Sequence, residues 1–309
     1  MELRILGKLY LNNMNWIIIV LAGHFLNALA FLMDKFLLTK KIPSPFVYAF
    51  FIGALGILGL VLIPFGFNVP SNIEIARALI AGATFVVALV FFFAGLKENE
   101  SSRVVPLTGG FVPAFTFILA YFFLAERLGS IEVFAFAALV AGGVLITIER
   151  GGKGSKKGYI YAVIAALVFA ISFVITKQVY INLEFINGFV WSRIGGFIMA
   201  MSFLLIPSVR NGILHQPKQK NQGSTAALFF TGQVAGALGF FLVNYSISLA
   251  SVSLVNAMQG AQYAFLLLMI ILLAKKFPKI ISEKMTGAVL VQKIFAIVLI
   301  SVGILLIAI

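Results

Sequence analysis

The chain has 309 residues, of which 61% are hydrophobic and 11% charged, against about 45–50% and about 25% in a soluble domain. A folded interior of this size cannot hide that much apolar surface, which excludes a soluble enzyme, a nucleic-acid-binding module and a disordered tail and makes lipid the solvent. The formal net charge of +13 therefore belongs to connections rather than to a nucleic-acid face, and Cys 0 with His 2 gives neither a disulfide framework nor a metal centre, so no cofactor is expected.

A spanning helix needs about 20 mostly apolar residues, and ten such stretches follow one another along the chain. Span one, 15–36, carries His24 and Asn27, with Phe31 and Asp34 continuing that face. Arg4 and Lys8 ahead of it, and Ala28-Leu29-Ala30 within it, resemble a cleavable signal. The apolar run continues to Leu38, however, so the segment reads as a retained helix. Spans two and three follow at 45–67 and 74–96. Span four, 102–125, contains Pro106, Thr108, Gly109, Gly110 and Pro113, a run expected to kink the helix and free backbone groups. Span five is 130–149 and span six 158–180. The basic, glycine-rich link between them, Gly151 to Gly158, lacks the spacing of a phosphate-binding loop and reads as a flexible connection. Span seven, 187–207, holds Trp191 and Arg193. Span eight, 225–249, places Gln233, Asn244 and Ser248 on one side with Tyr245 adjacent. Its Gly232, Gly236 and Gly239 read as a close helix contact. Span nine, 252–274, carries Ser253, Asn256, Gln259 and Tyr263 within about a 120° arc of a continuous helix. Span ten is 287–309.

The chain also pairs with itself, at an offset that grows from 142 to 160. Ala28, Phe31 and Lys35 match Ala170, Phe173 and Lys177, and Gly53 matches Gly196. Gly82, Ser101, Gly110 and Ala114 match Gly232, Ser251, Gly260 and Ala264, and Gly143 matches Gly303. The domains are therefore a first five-helix repeat, 1–150, and a second, 151–309. Because five is odd, the second copy enters the membrane from the opposite side. The fold class is an all-α integral membrane protein, ten transmembrane helices arranged as two inverted five-helix repeats, a construction used by many secondary transporters.

The first copy reads Ala94-Gly95-Leu96-Lys97, then Ser101-Ser102, Pro113, Leu124-Ala125-Glu126-Arg127-Leu128 and Gly142-Gly143-Val144. In this order the motifs resemble the EamA-type domain of the drug/metabolite transporter superfamily, whose half ends in a short helix, a Gly-Glu-Arg-Leu-like turn and a Gly-containing last helix. The second copy keeps Ser251, Gly303 and Ile304. It departs at the turn, where Lys275-Lys276-Phe277-Pro278 and a longer loop to Glu283 replace the compact motif. Ala125 stands where the family favours Gly. The resemblance implies a transporter of small polar metabolites, often an exporter, in the plasma (inner) membrane, with cytoplasmic termini. The basic residues point the other way. The side bearing both termini holds only Arg4, Lys8, Arg77, Arg127 and Lys177, and the opposite side holds most of the rest, so the charge rule predicts outward termini.

Polar side chains within spans usually face the bundle interior or a wet cavity. On that basis the substrate-binding candidates are His24, Asn27, Trp191, Arg193, Asn244, Tyr245, Asn256, Gln259 and Tyr263. The span-nine arc serves either as a lining or as packing, and four polar groups on one face favour lining. Arg193 either snorkels to the interface or points inward as a fixed cation for a carboxylate or phosphate. Trp191 is either an interfacial anchor or a stacking platform. All ten acidic residues lie at span ends or in loops, so the embedded carboxylate of a proton pump is missing, and proton-independent carriage or exchange is expected. The partners are a small-molecule substrate and the lipid bilayer, with no nucleic acid; a homodimer is compatible with the architecture. The leading function is a carrier of a small polar metabolite, such as an amino acid or similar organic solute, working by alternating access. A flippase for an amphipathic substrate is the alternative, and an integral-membrane enzyme or scaffold comes behind both, since no G-x-S-x-G or H-E-x-x-H occurs.

Overall fold

The computed structural model describes residues 2–37, 44–148, 154–214, 224–274 and 287–309. In chain order its helices are α1 (Glu2–Leu37), α2 (Pro45–Leu55), α3 (Asn72–Glu98), α4 (Ser101–Phe123), α5 (Ser130–Thr147) and α6 (Lys156–Asn182). There follow α7 (Phe185–Ser202), α8 (Pro207–Leu214), α9 (Ser224–Leu249), α10 (Val252–Ala257), α11 (Gln259–Ala274) and α12 (Gly287–Ala308). Two 3₁₀ segments, Gly56–Phe65 and Phe203–Leu205, continue α2 and α7. No strand occurs among the described residues. Ten stretches are long and apolar enough to cross a membrane, α10 and α11 together forming one of them. Side chains such as Phe122 and Leu205 are 74% and 84% exposed, which in water would be untenable over so many residues and in lipid is the expected state. The protein is an all-α, multi-pass integral membrane protein.

The helices gather into two compact units, and each draws on both halves of the sequence. One comprises Met1–Lys40, Arg127–Thr147 and Gln219–Ile309, hence α1, α5 and α9 to α12. The other comprises Lys41–Glu126 and Ile148–Lys218, hence α2 to α4 and α6 to α8. They are called the α1 unit and the α3 unit below.

In the α3 unit, α3 packs on α6 and α7, and α4 lies on α6. Lipid tails are as apolar as Leu, so helices associate through close packing and small residues rather than through water exclusion. Gly82 and Gly195 carry this to its limit. A Cβ on Gly82 would run into the Ser192 carbonyl oxygen, and one on Gly195 into the Leu79 carbonyl. The Ser172 hydroxyl, which donates to Ala81 O at 2.8 Å, fastens α6 to the same stretch of α3. In the α1 unit, α1 runs along α9 and α11, and α5 along α12. Here a Cβ on Gly239 would meet Gly23 O and the Asn27 carboxamide, and one on Gly143 would lie 3.1 Å from Gly260 Cα.

Four expectations meet a different outcome or none. Helix α4 stays helical through both Pro106 and Pro113. The interruption occurs instead in span nine, at Met258, between α10 and α11. The turn from Lys275 to Glu283, Gly151 to Lys153 of the link between repeats, and the side chains of Asp34 and Lys35 lie outside the described residues.

The structure also explains one departure from the family motif. Ala125 has φ 52°, in the left-handed region, where the helix α4 turns back and Glu126 N donates to Ala120 O at 3.1 Å. A Cβ in this conformation costs about 1–2 kcal/mol, partly offset by the greater freedom of Gly in the unfolded chain. Ala125→Gly is expected to stabilise the α3 unit by about 0.5–1 kcal/mol, read as a higher melting temperature in detergent. A lower melting temperature would show that the turn is not strained.

Candidate functional site

Helix α10 begins at Ser251, whose hydroxyl accepts a hydrogen bond from Leu254 N at 3.0 Å, an N-cap that supplies one of the partners a helix start lacks. Six residues later the regular helix is interrupted at Met258, whose own dihedrals, φ −69° and ψ −3°, remain helical. Met258 N donates to Leu254 O at 3.1 Å and Ala261 N to Met258 O at 2.9 Å, so the ladder tightens to an i to i+3 step before α11 begins at Gln259. Broken helices inside membranes are tolerated where protein or a cavity satisfies the freed backbone groups, and they recur at transporter binding sites.

Several polar side chains are buried in the α1 unit, some of them beside this interruption. His24, Asn244, Asn256 and Gln262 are all at least nine-tenths buried, as are Ser246 and Ser253. The His24 imidazole lies against the Gln262 side chain and the Val255 main chain, yet neither ring nitrogen closes a hydrogen bond of standard geometry. Asn244 and Asn256 turn back on their own helices, donating from Nδ2 to Phe240 O at 2.9 Å and to Val252 O at 2.8 Å. For Asn256 that arrangement leaves Oδ1 as an acceptor. A neutral imidazole offers one donor and one acceptor, and a carboxamide offers both. This arrangement can therefore bind a small polar group, and its wall is built by α1, α9, α10 and α11 within one compact unit.

Seven of the nine sequence candidates fall in this α1 unit: His24, Asn27, Asn244, Tyr245, Asn256, Gln259 and Tyr263. Gln259 and Tyr263 are half-buried on α11. Gln262, which the sequence reading passed over, is the residue set against His24. On a regular helix Gln262 stands about 120° from Asn256, outside the arc shared by Ser253, Asn256, Gln259 and Tyr263, so a search for one polar face passed it over. The bare identity of Gln262, an amide within an apolar run, was the signal available.

Trp191 and Arg193 belong to the α3 unit. The Trp191 Nε1–H donates to Asn68 O at 3.2 Å, and its ring lies 5.4 Å from that of Phe67. Asn187 adds a side-chain bond to Asn68, so the first turns of α7 hold the loop after the 3₁₀ segment Gly56–Phe65. Trp191 is thus a staple for that loop. The Arg193 stem crosses Gly56 and Gly59, and its guanidinium sits 5.3 and 5.7 Å from the Phe189 and Phe85 ring centres. Planar guanidinium on aromatic faces is a favourable arrangement away from water.

Residues 14–148 match the EamA-like transporter family. Two relatives, each named S-adenosylmethionine uptake transporter, come from Rickettsia felis (strain ATCC VR-1525 / URRWXCal2) and Rickettsia conorii (strain ATCC VR-613 / Malish 7). They are 27% and 26% identical to this chain over 284 residues, covering 87% of it and 85% of each relative. A solved crystal structure shares the fold, with a TM-score of 0.66 and 18% identity over 94% of this chain and 95% of the other.

Proposed function

We infer the mechanism from one premise: over its first half, residues 14–148, the chain belongs to the EamA-like transporter family, and it is a membrane transporter of a small metabolite rather than an enzyme. We propose that it works by alternating access between two inverted five-helix repeats, 1–150 and 151–309, in the plasma membrane of its cell. The observation that carries the reading is the interrupted ninth span, with Asn256 and Gln262 buried on either side of Met258 and His24 set against Gln262. Buried polar groups in lipid are costly unless they serve, and these three can take over part of the hydration of a solute.

Two features support the duplication. The matched pair Gly53 and Gly196 touch each other, the Cβ position of Gly53 lying 3.2 Å from Gly196 O. Residues on a two-fold axis meet their own equivalents in this way. The helix pairs of the α3 unit also return in the α1 unit with the halves exchanged: α3 on α6 becomes α9 on α1, and α4 on α6 becomes α11 on α1.

The solute is a small polar organic compound built on an amino acid. The relatives' named solute, S-adenosylmethionine, is an amino-acid derivative and is the first to test. Purified protein in liposomes is expected to take up labelled S-adenosylmethionine with saturation, and to take it up faster when the unlabelled compound is preloaded inside. Flux equal to that of empty liposomes, for this compound and for a panel of amino acids and nucleosides, would overturn the carrier reading.

A further inference from the structure

At one end of the α1 unit lies a cleft of about 610 Å³, within the roughly 300–1,000 Å³ common for small-molecule sites. Its walls come from the start of span one (Asn15, Trp16), the end of span eight (Tyr245), the turn and start of span nine (Ser251, Leu254) and the start of span five (Glu132). All four are span ends, so the cleft stands where a spanning helix meets water and where a solute first arrives. Glu132 is the one charged side chain in its lining.

We propose that this cleft is a capture site for the cationic part of the solute, with the Glu132 carboxylate as its charge partner and Trp16 and Tyr245 as its aromatic walls. The proposal rests on the reading of the chain as a carrier of S-adenosylmethionine or a similar organic cation. That compound bears a sulfonium and an ammonium against one carboxylate, and so approaches as a cation. The protein it approaches carries a net charge of +13, so a carboxylate set in a cleft is a local exception to a field that on balance disfavours a cation. A single acid in a cleft with low-dielectric walls focuses that reversal at one place. Aromatic faces beside a carboxylate are the chemistry that binds sulfonium and quaternary ammonium groups.

The carboxylate is also held ready. Gly129 N donates to Glu132 Oε2 at 2.7 Å, which fixes the side chain and leaves Oε1 as an acceptor. Ser251 is held by its capping bond to Leu254 N. The Trp16 carbonyl accepts from the Ser246 hydroxyl at 3.4 Å, tying the start of span one to span eight.

The test uses charge alone. Glu132→Gln keeps the size and the acceptor for Gly129 N while removing the charge. S-adenosylhomocysteine serves as the second ligand, because it differs from S-adenosylmethionine by one methyl group and has a neutral sulfur. In liposomes Glu132→Gln is expected to raise the KM for S-adenosylmethionine about tenfold. The concentration of S-adenosylhomocysteine that half-inhibits uptake should change much less, since its sulfur brings no charge. An unchanged KM, or equal loss for both ligands, overturns the capture site. If the wild-type protein moves no S-adenosylmethionine, the carrier reading falls instead. The cleft is then judged by direct titration of S-adenosylmethionine into purified wild-type and Glu132→Gln protein, where equal affinities reject it.

Discussion

Replacing Gln262 by Leu is expected to lower solute flux at least about tenfold while leaving the melting temperature unchanged or slightly raised. The reasoning starts from burial. Gln262 and His24 are 5% and 4% exposed and face each other across α1 and α11. If they were packing alone, an apolar residue of similar volume would serve as well or better, because replacing a buried polar group by a matched apolar one is often neutral or stabilising. If they bind the solute, the lost hydrogen bond to a charged group weakens it by about 1.5–3 kcal/mol, which is roughly tenfold to a hundredfold. The two roles therefore move stability and flux in opposite directions. Flux retained in Gln262→Leu, and in His24→Phe beside it, would place both residues in the packing of the α1 unit and leave the broken span without a transport role.

The second large effect concerns assembly. Gly195→Ala, and separately Gly82→Ala, should destabilise the α3 unit by about 3 kcal/mol. Inserted methyl groups commonly cost about 1–3 kcal/mol. These two belong at the upper end because the obstacles are main-chain carbonyls, Leu79 O for Gly195 and Ser192 O for Gly82, which cannot swing aside. Helices α3 and α7 would have to part, loosening their contact along the crossing. At roughly 2–4 °C per kcal/mol, a drop of about 6 °C or more in melting temperature is expected. Gly287→Ala is the control, since a Cβ there meets nothing within 4 Å. Equal melting temperatures for all three variants would mean that the α3–α7 crossing has slack and that its glycines are incidental.

Much of this architecture was legible in the sequence, and lipid is the reason. A chain crossing a bilayer must close every backbone hydrogen bond within the segment, so length and apolarity alone locate its helices. The expected spans 45–67 and 252–274 correspond to the observed Pro45–Phe65 and Val252–Leu273. The buried polar residues His24, Asn244 and Asn256 were legible for the same reason, since few polar side chains are tolerated there without a role. Other features needed the fold. A search for one polar face along span nine named Gln259 and Tyr263 and passed over Gln262, which lies on the neighbouring face that meets His24 of α1. Trp191 and Arg193 are two residues apart on α7, but one staples a loop at Asn68 and the other lies between Phe85 and Phe189. Glu132 read as one more acid at a span end, and it became a candidate only when the start of span one, the starts of α5 and α10 and the end of α9 enclosed a cleft around it. Sequence by itself determined which segments cross the membrane, because that depends on each segment's own transfer into lipid. Tertiary structure alone decided which faces meet, because that depends on close contacts such as Gly82 with Ser192, between residues more than a hundred positions apart.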